Sequence, residues 1–266
     1  RRWLRAVQSR RVDQRLAALS ALEAAALPRA LPPLLEQMHS RHLLTQIAAA
    51  RAAVRTLAAI PDLHPQHPDV IRVADVFVSV PLPAGIIEEV LSLDLRASQP
   101  LLEHLFSRSV LPSNLVLPLI VVVGQMRLVD MADRIATYAQ SLRQTEAAVA
   151  LHTLAILGYI PRAALPEVRR YLLDDDVPLA LAAARLLALL PLEQIEDLLW
   201  RALAHPVWDV RCEVVNALLQ YGAPGVTLLQ RAAQQHPDAT ARSSAQQVSI
   251  QPEQQGTSYQ WLGIAV

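Results

Sequence analysis

Apolar residues recur along this chain at helical spacing, in short segments separated by breaks that are rich in proline. In one segment Val210, Val214 and Leu218 follow each other every four residues, which places them on one face of an α-helix. Prolines stand mostly at the segment edges, where a first helical turn loses no hydrogen bond to them. Pro33 and Pro118 fall inside predicted helices and are expected to kink them. The pattern predicts helices at 10–25 and 29–39, 42–60 and 66–80, 84–94 and 98–108, 113–126 and 129–141, 144–158 and 162–173, 177–189 and 193–204, 207–220 and 223–235, and 238–248.

Part of this pattern repeats at a fixed step. His205-Pro206 recurs as His236-Pro237, and Arg211 recurs as Arg242 at the same step. A period of about thirty residues is typical of stacked helix pairs, none of which can bury its apolar face alone. We therefore predict an all-α fold: a right-handed α-solenoid of about seven to eight helix pairs, forming a single domain over residues 1–248.

The last residues, 249–266, depart from the helical pattern. They are polar and rich in glutamine at first, and they end in the apolar, aromatic segment 259–266. Because an uncapped end of a helical stack exposes apolar surface, this tail is predicted to fold back over the last helix. The alternative is that it engages something else.

Composition and charge narrow the class of protein. Ala and Leu dominate, 53% of the 266 residues are hydrophobic and 4% are aromatic, which favours helices and excludes a disordered chain. The formal net charge of zero argues against a dedicated nucleic-acid surface. The charge is uneven, however. Ten Arg against three acidic residues give +7 in 1–60, and fourteen Arg against twenty-one acidic residues give −7 in the remainder.

The basic start of the chain raises the question of a membrane. No run of eighteen apolar residues occurs, so no segment of this chain is predicted to span a bilayer. The segment Arg1-Arg2-Trp3-Leu4-Arg5 resembles the cytoplasmic flank of a membrane helix, because arginine collects there and tryptophan favours the interface. This interpretation predicts a cytoplasmic protein tethered at the inner membrane by a segment upstream of Arg1. The alternative is a solvated first helix that caps the stack.

Few groups of residues have the spacing that a metal site or catalysis requires. His39 and His42, like His64 and His67, are three residues apart, but both pairs fall at predicted turns, where helical spacing brings nothing together. No glycine-rich phosphate loop and no nucleophile motif occurs. We predict that the protein is not an enzyme and that it uses no cofactor and no metal.

Two further features are predicted to be structural. The acidic triplet Asp174–Asp176 directly precedes a predicted helix, where a carboxylate caps free amide groups and meets the positive end of the helix dipole. Asp209 and Asp238, near the starts of later helices, fit the same interpretation. The single cysteine, Cys212, is predicted to be a small buried hydrophobic residue rather than a nucleophile.

The stretches 210–218 and 241–245 carry a resemblance to a known family. Val-Arg followed by small residues and a leucine resembles HEAT repeats, in particular the short bacterial type also found in phycobiliprotein lyases. The resemblance is best over residues 147–245, although the arginine is missing at Leu181 and the acid–Val–Arg turn is missing in 145–158. It implies a helical-pair solenoid, with Arg–Asp contacts between repeats limited to Asp209, Arg211 and Arg242.

The same resemblance implies a concave binding face formed by the second helix of each pair. Aligning those helices predicts one buried column, formed by Ile135, Leu165, Ile195 and Val226. Five residues further along each helix, a second column is predicted to be exposed. Together with its neighbours it gives the candidate partner-binding residues Gln140, Arg169, Arg170, Trp200, Arg201 and Arg231. Arginine and tryptophan are typical of binding surfaces, and the alternative is a solvated face with one partly packed tryptophan.

These observations favour a non-enzymatic interaction scaffold or adaptor that binds a protein segment in its groove. Two other functions stay open at this point. The HEAT resemblance implies chromophore attachment of the phycobiliprotein-lyase kind as one of them. Nucleic-acid binding through Arg170, Trp200 and Arg231 is the other, and it is opposed by the neutral total charge and by the acidic residues around Glu196.

Overall fold

A computed structural model describes the backbone of residues 2–249 and the side chains up to Gln246, and it is all-helical in this range. The predicted tail, 249–266, lies almost wholly outside the described residues. The helices are α1 (Arg2–Ala6), α2 (Val12–Ala25), α3 (Leu31–Met38), α4 (Leu43–Ala58), α5 (Pro68–Ser79), α6 (Ala84–Leu91), α7 (Leu95–Phe106), α8 (Ser113–Gln125), α9 (Ala132–Tyr138), α10 (Gln144–Leu157), α11 (Leu165–Tyr171), α12 (Val177–Leu187), α13 (Glu196–Ala202), α14 (Trp208–Gln220), α15 (Ala223–Gln235) and α16 (Ala239–Ser249).

The predicted helices are confirmed, with bounds that differ by a few residues. Short 3-10 turns precede α3, α9, α11 and α13, which shortens these four helices relative to the prediction. The prediction missed α1. Pro118 does lie inside α8, but Pro33 lies in the first turn of α3, where it removes no helical hydrogen bond. Pro100 lies inside α7, because that helix begins at Leu95, earlier than predicted.

The chain divides between Met131 and Ala132 into two compact units, here called unit 1 and unit 2. In unit 1, α2 packs on α4, α4 on α6 and α6 on α8, while α3 packs on α4 and α5 packs on α7. Fully buried leucines and one phenylalanine fill its core, among them Leu19, Leu34, Phe77 and Leu101. Their burial supplies the main free energy that stabilises this unit.

Unit 2 repeats one packing arrangement. Helix α10 packs on α12, α12 on α14 and α14 on α16, while α11, α13 and α15 each pack on the helix that follows them. Leu154, Leu186 and Leu218 are fully buried in α10, α12 and α14. In the pairing predicted from the sequence, α9, α11, α13 and α15 are the second helices, a name kept below, and their exposed faces carry the candidate site residues.

Six turns, those before α2, α4, α10, α12, α14 and α16, share a hydrogen bond that explains the sequence repeat. In each turn one polar side chain accepts from the backbone N–H two residues later, at 2.9 to 3.3 Å, and so fixes the entry into the helix. The accepting residues are Ser9, Ser40, Ser141, Asp174, His205 and His236. Each histidine accepts through Nδ1, while its Nε2 lies 3.0 to 3.1 Å from a carbonyl oxygen of the preceding pair.

The predicted caps are present at Asp176 and Asp238, whereas the prediction for Asp209 is wrong, because this residue lies inside α14 and the start of that helix has no side-chain cap. Asp176 caps α12 by accepting from the N–H of Leu179 at 3.1 Å, and Asp174 stabilises the turn before it. Asp238 accepts from the N–H groups of Thr240 and Ala241 at the start of α16. The Arg–Asp contacts implied by the HEAT resemblance are not observed: within the described residues, no ion pair joins Asp209 to Arg211 or Arg242. Both arginines bind backbone carbonyl groups instead.

The structure also bears on the membrane and metal predictions. Among residues 2–249, no helix combines the length and apolarity needed to cross a bilayer. No group of three or more His, Cys, Asp or Glu side chains that could hold a metal ion occurs in the part of the chain that is described. Cys212 is half-buried rather than buried, and desolvation of its thiol raises the pKa, which keeps it in the less reactive thiol form.

Candidate functional site

The six candidate residues all lie in unit 2, on or directly after its second helices. Gln140 follows α9, Arg169 and Arg170 lie on α11, Trp200 and Arg201 on α13, and Arg231 on α15. Five of them are exposed and Trp200 is half-buried. Five of the six side chains are therefore accessible and Trp200 is only partly so, and their role in binding stays a prediction.

The predicted buried column is only partly correct. Ile135 and Ile195 are fully or almost fully buried, Leu165 is half-buried, and Val226 is 38% exposed. The column that the structure buries runs through Ile135, Val168, Leu199 and Leu229, which are 0 to 2% exposed. The number of residues between successive members of this column decreases along the chain, because the connections between the helices differ in length. The alignment of the second helices predicted from the sequence therefore differs from the observed one.

The corrected register changes which arginines are equivalent. Arg170, Arg201 and Arg231 each stand directly before a buried residue of their helix, namely Tyr171, Ala202 and Ala232. They therefore form one row, with one guanidinium on each of three successive second helices. Trp200 lies one residue earlier, in the position that Arg169 has on α11. Gln140 belongs to neither row: its amide donates to the carbonyl oxygen of Ala163 at 3.3 Å.

Two arginines of this row are already paired within the chain. Arg170 lies 2.6 Å from a carboxylate oxygen of Glu167, and its guanidinium lies 4.4 Å from the ring centre of Tyr171. Arg231 lies 2.6 Å from a carboxylate oxygen of Glu196. Arg169 and Arg201, in contrast, form no hydrogen bond or ion pair with the described residues, so their positive charges face solvent.

The indole of Trp200 is held between two other side chains. The Arg231 guanidinium lies 4.9 Å from its ring centre, a distance at which a cation is attracted to the aromatic face. The His236 ring lies 4.8 Å away at an interplanar angle of 37°, and His236 Nε2 lies 3.0 Å from the carbonyl oxygen of Trp200. These contacts fix the indole while leaving part of it accessible.

A shallow cavity of about 310 Å³ adjoins Arg231. Its walls come from the start of α13 and from the first half of α15, and they include the carboxylates of Glu193 and Glu196. This size is at the lower limit for a small-molecule pocket, which spans about 300–1,000 Å³. It suits a single protruding side chain better than a cofactor.

Two larger cavities in unit 1 have no counterpart among the sequence predictions. One of about 510 Å³ lies between the ends of α2 and α4 and the start of α7, with Arg55 and Asp94 in its wall. The other, of about 690 Å³, is lined by the loop after α4 and by α7, including His64 and Arg96. Their residues come from loops and helix ends that are far apart along the chain, which is why no local motif marks them.

Comparisons with known proteins do not identify a family. No protein-family model matches the chain, and no curated protein matches it. Among solved structures, three engineered proteins are similar at 18%, 16% and 19% sequence identity, with TM-scores of 0.33, 0.25 and 0.26. The matches cover 93%, 92% and 92% of this chain, and 66%, 92% and 94% of the engineered chains. The first match thus spans just under two thirds of the engineered chain.

Proposed function

We propose that this protein is a non-enzymatic interaction scaffold, and that the second helices of unit 2 bind an extended segment of a partner protein. The helix pairs of unit 2 belong, in this proposal, to a HEAT-like α-solenoid. Its support is the repeat of the His-Pro turn together with the successive packing of α10, α12, α14 and α16. Stacked helices present one side chain per pair at a regular spacing of about 8–10 Å, which suits an extended ligand.

The single observation that carries the proposal is the arrangement around Trp200. A half-exposed tryptophan whose ring is fixed by Arg231 and His236 loses little conformational freedom when a partner packs on it. Tryptophan and arginine are also the residues that contribute most to protein–protein affinity. A solvated face would not require an indole that is fixed in this way, whereas a binding site gains from one.

The charges indicate what the partner segment carries. Arg170 and Arg231 are neutralised by Glu167 and Glu196, so the positive charge available to a partner comes from Arg169 and Arg201. A carboxylate binds such a guanidinium in a bidentate, charge-assisted pair. The partner segment therefore carries acidic residues next to an apolar side chain that packs on Trp200.

A capture experiment with matched variants tests this function. The whole chain serves as bait in a lysate of its source cells, in parallel with the variant Arg169→Glu/Arg201→Glu and the control Arg29→Glu/Arg127→Glu. The control residues are exposed arginines of unit 1 without ion pairs among the described residues, and both variants change the net charge by the same amount. Circular dichroism and thermal unfolding establish that both variants fold.

We expect a stoichiometric protein on the wild-type bait and on the control, and its loss from the site variant. Trp200→Ala should weaken the same complex at least tenfold, since a central tryptophan contributes about 2 kcal/mol or more. Retention of the same protein by all baits would show that the second-helix face is not the binding site. Retention of nucleic acid alone would refute the scaffold function.

A further inference from the structure

The N-terminal turns of α2 and α4 lie at one edge of unit 1. The two helices pack on each other and run in the same direction, because residues at both of their C-terminal ends, Ala26 and Ala59, line the same cavity. Their N-terminal turns are therefore neighbours at the opposite end. Ser9 and Ser40, which stand as far apart along the chain as His205 and His236 do, stabilise these two turns in the same way.

This edge is basic, and its charges are free. Arg10, Arg11 and Arg41 lie in the two turns, Arg5 lies on the adjoining α1, and all four are exposed. None of them forms an ion pair with the described residues. Among the six arginines of unit 1 that follow Arg41, in contrast, five are paired with carboxylates: Arg51, Arg55, Arg72, Arg96 and Arg108. Asp13 is the single acidic residue among the first 22.

Large apolar side chains stand among these arginines. Trp3 is 45% exposed on α1, and Leu44, in the first turn of α4, is 66% exposed. Val7 is fully buried and α1 packs on α2, so the tryptophan is attached to the folded unit. Surfaces that bind at the interface of a bilayer combine exposed leucine and tryptophan with unpaired arginine, because the apolar side chains enter the headgroup region.

We infer that this edge, formed by Trp3, Arg5, Arg10, Arg11, Arg41 and Leu44 and here called the basic–apolar edge, docks unit 1 on an anionic membrane surface. The inference goes beyond the proposed scaffold function, because it concerns the other unit and a lipid partner. A negatively charged leaflet attracts each arginine with a free energy that corresponds to about a fivefold gain in affinity. Nucleic acid would pair with the arginines but would leave Leu44 in water, so the exposed leucine favours a bilayer.

Vesicle co-sedimentation of the whole chain tests the inference. Vesicles of phosphatidylcholine alone are compared with vesicles in which about a third of the lipid is phosphatidylglycerol, at physiological ionic strength. We expect binding to the anionic vesicles only, weakened by added salt. Arg10→Glu/Arg41→Glu should reduce the affinity at least 25-fold, that is about fivefold for each of two arginines. The control Arg134→Glu/Arg162→Glu, with the same change in net charge, should bind as the wild type does.

A second variant separates a bilayer from other polyanions. Trp3→Ala/Leu44→Ser keeps every charge and alters only exposed side chains, so it should fold and yet lose at least tenfold in affinity for anionic vesicles. Its binding to duplex DNA or heparin should not change. The inference is overturned if anionic vesicles do not bind, or if neutral vesicles bind as well. It is also overturned if this variant binds anionic vesicles as the wild type does, because the edge would then be a general polyanion site.

Discussion

The guanidinium of Arg211 closes the turn that precedes its own helix: Nη1 donates to the carbonyl oxygen of His205 at 2.7 Å. The same nitrogen lies 2.9 Å from the carbonyl oxygen of Pro206, and Nε donates to the hydroxyl of Ser244 at 3.0 Å. Arg242 binds His236 and Pro237 in the same way, one repeat later. The repeated His-Pro and Arg of the sequence are therefore parts of one structural device, in which the side chain pairs with backbone groups that the turn leaves open.

Replacing Arg211 should destabilise unit 2. Arg211→Ala removes hydrogen bonds from a charged donor to two carbonyl groups, so the free energy of unfolding should fall by about 2 kcal/mol. Arg211→Lys should be more stable than Arg211→Ala but less stable than the wild type, because an ammonium group cannot reach both carbonyl oxygens and Ser244 in one geometry. Urea unfolding measures the difference. Arg201→Ala, an exposed arginine without a partner among the described residues, is the control and should change stability by less than about 0.5 kcal/mol.

The residue that accepts in each turn should be exchangeable between repeats. His205 is 4% exposed, accepts from the N–H of Val207 at 3.1 Å and lies 3.1 Å from the carbonyl oxygen of Asp174. His205→Ala leaves both groups without a partner and should cost about 2–3 kcal/mol. His205→Asp should cost about 1 kcal/mol less than His205→Ala, because an aspartate can accept from the N–H two residues later, as Asp174 does in the preceding turn. Equal losses for both variants in urea unfolding would contradict the equivalence of the turns.

The helices could be predicted from the sequence because proline and apolar spacing act locally. The turns could be recognised as equivalent from the sequence only where the same residue types recur, as at His205 and His236. The equivalent position in other turns is occupied by Ser9, Ser40, Ser141 and Asp174, which accept the hydrogen bond through a different atom. Their equivalence is therefore not visible as a repeated residue type. What the position requires is an acceptor two residues before an N–H group, and several residue types meet this requirement.

The candidate site was predicted less well than the fold because it depends on register. A row of equivalent side chains requires each second helix to be aligned within one residue. The step from Ile135 to Val168 is longer than the later steps, but the predicted column continued from Ile135 to the half-buried Leu165, and it therefore joined Arg170 to Trp200 instead of Arg201. The sequence identified the right residue types on the right helices, and only the packing shows which of them are neighbours.

Substitution by alanine should change the stability in opposite directions at two glycines, Gly225 and Gly85. A Cβ on Gly225 would overlap the backbone oxygen of Leu218 and lie 3.3 Å from Cβ of Tyr221, because α15 approaches α14 closely there. Gly225→Ala should therefore lower the free energy of unfolding by about 2 kcal/mol or more. Gly85 in α6 has nothing within 4 Å of such a Cβ, so Gly85→Ala should raise it by about 0.5 kcal/mol. Thermal unfolding of both variants tests the contact; a neutral Gly225→Ala would disprove it.

The stability of unit 2 should decrease in mild acid because of His152. Burial and the nearby Arg185 guanidinium lower the pKa of His152 below its usual value of 6.5. As the pH falls through 6.5, the unfolded chain therefore binds the proton first, and the free energy of unfolding drops until the folded protein is protonated as well. Urea unfolding from pH 8 to pH 5 should show a smaller drop in His152→Asn than in the wild type. Parallel curves for the two proteins would rule out this contribution.

Tyr221 should make the stability depend on pH at the alkaline end. Its hydroxyl lies 2.8 Å from the carbonyl oxygen of Leu187 and 2.7 Å from that of Leu190, and burial, with Glu193 nearby, raises the pKa of Tyr221 from 10.0 to about 12. Above pH 10 the unfolded chain loses this proton while the folded protein keeps it, so stability should decline from pH 10 upwards, until the folded form ionises near pH 12. Burial and Glu146 also raise the pKa of Tyr138, so titration of the tyrosinate absorbance should show more than one of the five tyrosines ionising late, and Tyr221→Phe should remove one group from the phase near pH 12. If the phase near pH 12 has the same amplitude in the Phe variant, the hydroxyl of Tyr221 does not join the end of α14 to the carbonyl groups at the end of α12.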